Sequence, residues 1–292
     1  MPNLEHQKLI EAFRQIPESP KDSEEKINLF KQIIGEFYRL NRRVLSWREN
    51  ISSYGVVVSE IMLQQTQVER VAQKYENFIS SFPDFESLSQ APFYEVLKLW
   101  KGLGYNRRAM CLQQIANLVV SKHNNILPED PAILETFPGI GKATARSIVS
   151  FAFNIPTVFI ETNIRTVFIY FFFQNTSNIS DKQIMPIIEK SLDKNNAREW
   201  YYALMDYGVW LKKTVGNLSR LSSHYNKQSK FEGSDRQIRG QILQELLEQK
   251  YVIKNQIFEN INKDQVRVAK IISDLCREGY IIESDQTLCL KS

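Results

Sequence analysis

Apolar side chains recur every three to four positions over about the first 210 residues, in segments separated by short Pro, Gly or Asn punctuation. The breaks fall at Phe82-Pro83, Ala91-Pro92, Leu127-Pro128, Pro131 and Pro138. This pattern predicts successive helices of roughly 10 to 18 residues, with no strand-like alternation among them. Residues 219–234 (SRLSSHYNKQSKFEGS) are rich in Ser, Lys, Asn and Gln and poor in apolar side chains, as in an exposed linker. Beyond it, Ser234 with Gln237, and Asn262 with Gln265, have the spacing of capping boxes that open amphipathic helices. Tyr280-Ile281-Ile282 and Leu288-Cys289-Leu290 then flank a polar turn at 283–286, as in a small hairpin. Two helices followed by a hairpin describe a winged helix. The pattern thus predicts a mainly α chain with a helical domain over 1–218, a basic linker over 219–234 and a small winged-helix-like C-terminal domain over 235–292.

Composition narrows the class. With 43% hydrophobic and 24% charged residues the chain can bury a sizeable core, which excludes a disordered protein. The apolar run Val167 to Phe173 is far shorter than the ~20 residues of a membrane span. Residues 1–14 mix Glu5, His6, Lys8 and Glu11 with isolated apolar residues, unlike a secretory signal. A soluble, cytoplasmic protein is expected. Cys111, Cys276 and Cys289 are too widely separated for a disulfide framework or a C-x-x-C zinc site, so they read as reduced core residues and no metal is expected. The net charge of +4 is mild, but it is unevenly placed. Between Leu211 and Gly240, seven basic residues (Lys212, Lys213, Arg220, Lys227, Lys230, Arg236, Arg239) face only Glu232 and Asp235.

Four stretches carry chemistry. Val56 to Leu63 (VVVSEIML) is apolar except for Ser59 and Glu60, and continues through Gln64, Gln65, Thr66 and Gln67. Desolvation raises the pKa of a carboxylate so placed, so that Glu60 could stay protonated and deliver a proton, although the segment alone fits a surface Glu beside a core stripe better. Leu134 to Ser150 (LETFPGIGKATARSIVS) reads as a helix end, a Pro-Gly-Ile-Gly turn and a second helix starting near Lys142. Gly139 and Gly141 let backbone amides approach a phosphate at that helix N-terminus, with Lys142 and Thr144 beside them. The same turn also serves as a plain helix connector. Glu161 precedes Thr162-Asn163, both able to cap the helix that continues through Tyr170, and a helix N-terminus favours an anion. One carboxylate biased towards neutral and one towards ionised is the pairing that cleaves glycosidic bonds. Trp100 to Arg108 (WKGLGYNRR) sets Tyr105 after a Gly-Leu-Gly turn and before Arg107-Arg108, which suits an unstacked duplex, although a Gly-Tyr at a helix start is ordinarily just packing.

Together these stretches resemble the helix-hairpin-helix (HhH-GPD) DNA glycosylase superfamily, most closely its MutY-type adenine glycosylases, from about Phe37 to Tyr207. The resemblance is carried by LSWR (Leu45 to Arg48), SEIMLQQTQV (Ser59 to Val68), FPDFESLSQAP through LWKGLGY (Phe82 to Tyr105), FPGIGKATA (Phe137 to Ala145) and ALMDYG (Ala203 to Gly208). It implies a two-lobed helical glycosylase fold. It further implies that Glu60 is the general acid protonating the departing base, and that Gln64, Gln65 and Tyr105 fill or wedge the duplex while the target nucleotide is flipped out. Arg48, Arg107, Gly139, Gly141, Lys142 and Thr144 join them as expected DNA contacts.

The departures from the family pattern are equally informative. Glu161 stands where the family has a catalytic aspartate that stabilises the cationic sugar, one methylene longer. Ala143 stands where bifunctional relatives carry a Schiff-base lysine, which implies a monofunctional enzyme. The four cysteines of the relatives' iron-sulfur cluster are missing, with Lys212 in the place of the first, so no cofactor is expected and Lys212, Lys213 and Arg220 are assigned phosphate contacts. The expectation is a monomeric, nucleoid-associated base excision repair glycosylase acting on double-stranded DNA. Adenine opposite guanine or 8-oxoguanine is its first substrate, with thymine or uracil in G·T and G·U mispairs as the alternative. A lesion-binding protein without catalysis is the rival from another class. A transcription regulator using Lys263, Arg267, Lys270 and Arg277 ranks last, because Asp264 and Asp274 offset those charges.

Overall fold

The structure is a computed structural model that describes residues 4–17, 20–227, 230–261 and 263–291. Its helices are α1 (Leu4–Gln15), α2 (Glu24–Asn41), α3 (Ser46–Glu49), α4 (Ser53–Leu63), α5 (Val68–Ser81), α6 (Phe85–Gln90), α7 (Phe93–Trp100), α8 (Arg107–Lys122), α9 (Pro131–Leu134), α10 (Lys142–Phe153), α11 (Thr162–Phe172), α12 (Asp181–Ser191) and α13 (Ala197–Thr214). After a 3-10 turn at Leu218–Leu221 come α14 (Asp235–Glu248), β1 (Val252–Ile253), α15 (Lys254–Asn260), α16 (Gln265–Arg277), β2 (Ile281–Ser284) and β3 (Thr287–Leu290). No helix among the described residues is long and apolar enough to cross a membrane.

The chain forms two compact units, neither continuous in sequence. Unit 1 takes Met1–Val56, Pro128–Thr136 and Ile140–Lys227, and unit 2 takes Val57–Leu127, Phe137–Gly139 and Gln228–Ser292. This division differs from the expected boundary at 219–234, because residues beyond that linker cluster with 57–127.

Unit 1 is built around α11 and α13, which pack along each other with α2 and α1 outside them. The helix α11 is apolar nearly all round, so it must be covered on every side. Its Val167, Phe168, Ile169, Phe171 and Phe172 are all buried. The Phe30 ring lies 5.1 to 5.2 Å from those of Phe168, Phe171 and Phe172. Each such aromatic pair adds roughly 0.5–1.5 kcal/mol beyond area burial.

A buried ion pair lies inside this unit. Asp206 on α13 is 3% exposed. It accepts from the Arg43 backbone N at 2.9 Å, from Arg43 Nε at 2.7 Å and from Arg48 Nη1 at 3.0 and 3.1 Å. The Arg48 guanidinium also lies 4.2 Å from the Tyr202 ring centroid. The expectation that Arg48 touches DNA is therefore corrected: it is 5% exposed, drawn inward because a buried carboxylate must be matched by a cation.

In unit 2, α6 and α7 pack on α8, and α5 packs on α7. The C-terminal segment joins them. Its α14 packs on α16, β3 and α7 through Ile238, Ile242, Leu243 and Leu246, and Tyr280, fully buried, stands 5.9 Å from Phe93. The strands form an antiparallel sheet of order β1-β3-β2, with Val252 opposite Leu288 and Ile282 opposite Cys289. The hairpin matches expectation, whereas β1 and α15 were not foreseen, being too short to show a period.

The expected caps are revised in detail. Ser234 precedes α14 without a side-chain cap bond, and Gln237 Oε1 accepts from Gly233 N at 2.7 Å instead. Asn262 lies outside the described residues. The helix α16 is capped by Asp264, which accepts from the amides of Val266 and Arg267.

Removing the buried anion leaves Arg48 uncompensated. Asp206→Ala is expected to lower the unfolding free energy by about 3–5 kcal/mol, read from the urea midpoint at constant slope. A loss below about 1 kcal/mol would show that the arginines are satisfied without it.

Candidate active site

The sequence-predicted residues divide between the units. Glu60, Gln64, Gln65, Tyr105, Arg107 and Gly139 belong to unit 2; Arg48, Gly141, Lys142, Thr144, Glu161, Lys212 and Lys213 belong to unit 1.

In unit 2, Glu60 rides near the end of α4 among Val57, Val58, Ile61 and Met62, none of which is exposed. The carboxylate itself is half-buried, so it sits at the margin of an apolar face. The helix then ends, and one buried side chain receives its carbonyls. Arg108 Nη1 donates to the carbonyls of Ile61 (3.0 Å), Met62 (2.8 Å) and Gln64, while Nη2 donates to those of Leu103 (3.1 Å) and Gly104 (3.0 Å) and to Thr66 Oγ1 (2.9 Å). A single guanidinium thus ties the turn after α4 to the turn before α8. Burial pushes its pKa down to about 10, which still leaves it cationic at neutral pH.

That clamp holds two strained residues. Gln65 has φ 55° and Tyr105 has φ 48°, left-handed conformations that cost a non-glycine residue of order 1–3 kcal/mol each. Gln65 is exposed, and Gln64 Nε2 donates to the Gly139 carbonyl at 3.1 Å. Tyr105 lies between two cations: its hydroxyl accepts from Arg236 of α14, and the guanidinium carbons of Arg236 and Arg108 lie 5.2 and 5.4 Å from its ring centroid. Arg107 is exposed, as a DNA contact requires. Sequence reasoning gave Arg108 no role of its own. The signal was present, since Arg108 shares the stripe of Cys111, Leu112, Ile115 and Val119, all buried.

The hairpin turn needs its first glycine. Gly139 has φ +77°, and a Cβ there would meet Cys111 Cβ at 3.0 Å and Sγ at 3.1 Å. In unit 1, Gly141 is the N-cap of α10 and supplies no side-chain cap, leaving first-turn amides open to an anion. Gly141, Lys142 and Ala143 are exposed, and Thr144 is half-buried.

Also in unit 1, Glu161 is itself the N-cap of α11, where Thr162 or Asn163 was expected to cap. Its Oε1 accepts from the amides of Asn163 (2.7 Å) and Ile164 (2.8 Å), and Oε2 accepts from Asn163 Nδ2 (3.2 Å). Lys212 Nζ donates to Asn163 Oδ1 at 2.7 Å. Lys212, expected to contact a phosphate, is half-buried and spends a donor on Asn163. Burial pulls its pKa below the usual lysine range, while the Glu161 charge pulls it back up. Lys213 and Arg220 are exposed. Gly208, quoted within ALMDYG but assigned nothing, proves necessary: a Cβ there would fall 2.5 Å from the Asn163 carbonyl oxygen.

The residues present do not fit the relatives' iron-sulfur cluster. Four thiolates are needed, and the three cysteines of the sequence all belong to unit 2, whereas Lys212, at the first ligand position, belongs to unit 1. No group of three or more His, Cys, Asp or Glu among the described residues is placed to hold a metal ion.

Residues 58–194 match the family described as HhH-GPD superfamily base excision DNA repair protein. The adenine DNA glycosylase of Buchnera aphidicola subspecies Baizongia pistaciae is 35% identical over 184 residues, 62% of this chain and 52% of that protein. The Mycobacterium tuberculosis adenine DNA glycosylase is 37% identical over 132 residues, 45% of this chain and 43% of that protein. The chain spans about half the length of the curated relatives it matches. Among solved structures, a thermostable thymine-DNA glycosylase is similar with a TM-score of 0.57 and 26% identity, covering 63% of this chain and 86% of that one. A non-covalent endonuclease III–DNA complex shares the fold, at a TM-score of 0.56 and 16% identity, covering 66% of this chain and 88% of that one. Residues 58–194 therefore form a domain of the HhH-GPD superfamily of base excision DNA repair proteins, and MutY-like adenine DNA glycosylases are among the homologues of this chain.

Proposed function

We propose that the chain is a monofunctional DNA glycosylase that flips a base out of double-stranded DNA and hydrolyses its N-glycosidic bond, with adenine opposite guanine or 8-oxoguanine as first substrate. The observation that carries this reading is the family match over 58–194, a stretch that takes in Glu60, the hairpin and Glu161 in the family's order. Glu60, half-buried on an apolar helix face, gives its proton to the departing base. Glu161, held by the α11 amides, stabilises the cationic sugar, and water supplies the new C1′ oxygen. Ala143, at the place of the Schiff-base lysine, has no amine to form an adduct. Lys142 is the next helical position, about 100° round the axis. The exposed hairpin backbone, Lys213 and Arg220 hold phosphates, and the helix-and-hairpin C-terminal segment adds a winged-helix-like element.

A second substrate has its own support. The likeness to a thymine-DNA glycosylase at 26% identity favours thymine or uracil in G·T and G·U mispairs.

A panel of A·G, A·8-oxoguanine, T·G and U·G duplexes under single-turnover conditions tests both. Abasic product without a borohydride-trapped adduct is expected; tight binding with no product on any duplex makes the chain a lesion-binding protein. Glu60→Gln should slow excision by roughly 10²–10⁴-fold at unchanged duplex affinity, and undiminished excision removes Glu60 from the acid role. Lys213→Ala with Arg220→Ala should weaken matched and mismatched duplexes alike and flatten the plot of log affinity against log salt by about 0.9 for each phosphate no longer neutralised. An unchanged slope means neither touches a phosphate.

A further inference from the structure

We propose that Lys212 is a positioning residue for Glu161, acting through the side-chain amide of Asn163. The inference rests on the glycosylase reading and concerns a residue to which the sequence assigned only a phosphate.

The geometry begins with the approach of two helices. Gly208 brings the α13 backbone against the first turn of α11, so closely that any side chain there would collide with Asn163. Lys212 lies one turn further along α13, on the same face. From there its Nζ reaches Asn163 Oδ1 at 2.7 Å. An ammonium has three donors and no acceptor, so it can donate only to the oxygen end of the amide. The nitrogen end must then turn the other way, and Nδ2 donates to Glu161 Oε2 at 3.2 Å. The other carboxylate oxygen, Oε1, is held by the backbone amides of Asn163 and Ile164. Three donors thus fix the carboxylate plane, and the direction of one is chosen by Lys212.

The surrounding charges support this assignment. Arg165, on the same helix as Asn163, is engaged with Asp181 through two contacts of 2.8 Å. Lys212 lies within the field of Glu161 and is held half-buried despite the desolvation of its ammonium. A lysine serving only phosphates would gain nothing from that burial, and its neighbour Lys213 is exposed. The longer Glu161 side chain has one more rotatable bond than the family's aspartate, so a fixed partner for its second oxygen matters more here. A displacement of about 1 Å at a reacting group lowers rates roughly 100-fold.

The test separates position from phosphate binding. Single-turnover excision at saturating protein, duplex affinity and its salt slope are measured for the unaltered chain, Lys212→Met, Asn163→Ala and the double variant, with melting temperatures alongside. Lys212→Met is expected to slow excision roughly 10- to 100-fold at unchanged affinity and salt slope. The double variant is expected to be no slower than the worse single one, since both break one chain of hydrogen bonds. Excision within about twofold of the unaltered rate overturns the proposal, as does an effect seen only in affinity and salt slope. Should Lys212→Met fail to fold, Asn163→Asp keeps an acceptor for Lys212 but offers Glu161 no donor; full activity in that variant also overturns the proposal. If the unaltered chain excises nothing from any duplex, the glycosylase reading fails by itself. The Asn163 side-chain amide NMR signals, assigned by their disappearance in Asn163→Ala, then decide the contact: a shift in Lys212→Met supports the orienting role, and no shift overturns it.

Discussion

A carboxylate removed from water in the middle of a helix stands only where cations meet it, and Asp206 in α13 is such a group. Arg43 and Arg48 supply the match from the segment after α2 and from α3. Their contacts fix the place of α13, whose next residues include Gly208 and Lys212. The glycine admits the first turn of α11, and the lysine reaches its Asn163. The environment of Glu161 is therefore set by a helix anchored through a different and fully buried ion pair. The same buried charge explains why the LSWR arginine turns inward.

Unit 2 uses the converse device. There a buried cation, Arg108, meets the carbonyl oxygens that α4 leaves unsatisfied at its C-terminus, together with those of the turn before α8. A guanidinium suits this task because its planar fork directs several donors at once. The gain is conformational: Gln65 and Tyr105 keep left-handed backbones that few residues hold unaided. Arg236 from α14 adds a second cation at Tyr105, so the C-terminal segment takes part in presenting that ring.

The departures from the family pattern acquire a common meaning in this light. Where the resemblance implies a cluster-binding thiolate, this chain has an ammonium directed at the first turn of α11. Where it implies an aspartate, the chain has a longer carboxylate held by that same turn. Both changes fall on one local network within unit 1.

Much was legible from local pattern. The helices, the Pro-Gly-Ile-Gly turn, the position of Glu161 at a helix start and the final hairpin all depend on residues within a few positions of one another, where periodicity, turn chemistry and the helix dipole act. The sequence by itself determined these. Only the tertiary structure decided where the long cationic side chains point. Arg48 meets a partner 158 positions away, Lys212 one 49 away and Arg108 one 47 away. A lysine or arginine can extend into water or bury its charge against a partner, and local pattern alone seldom tells which. Arg108 was the exception, its apolar stripe being visible in the helix itself. The joining of 235–292 with 57–127 has the same origin, because α14 and Tyr280 find their apolar partners on α7, in a part of the chain that no short-range pattern connects to them.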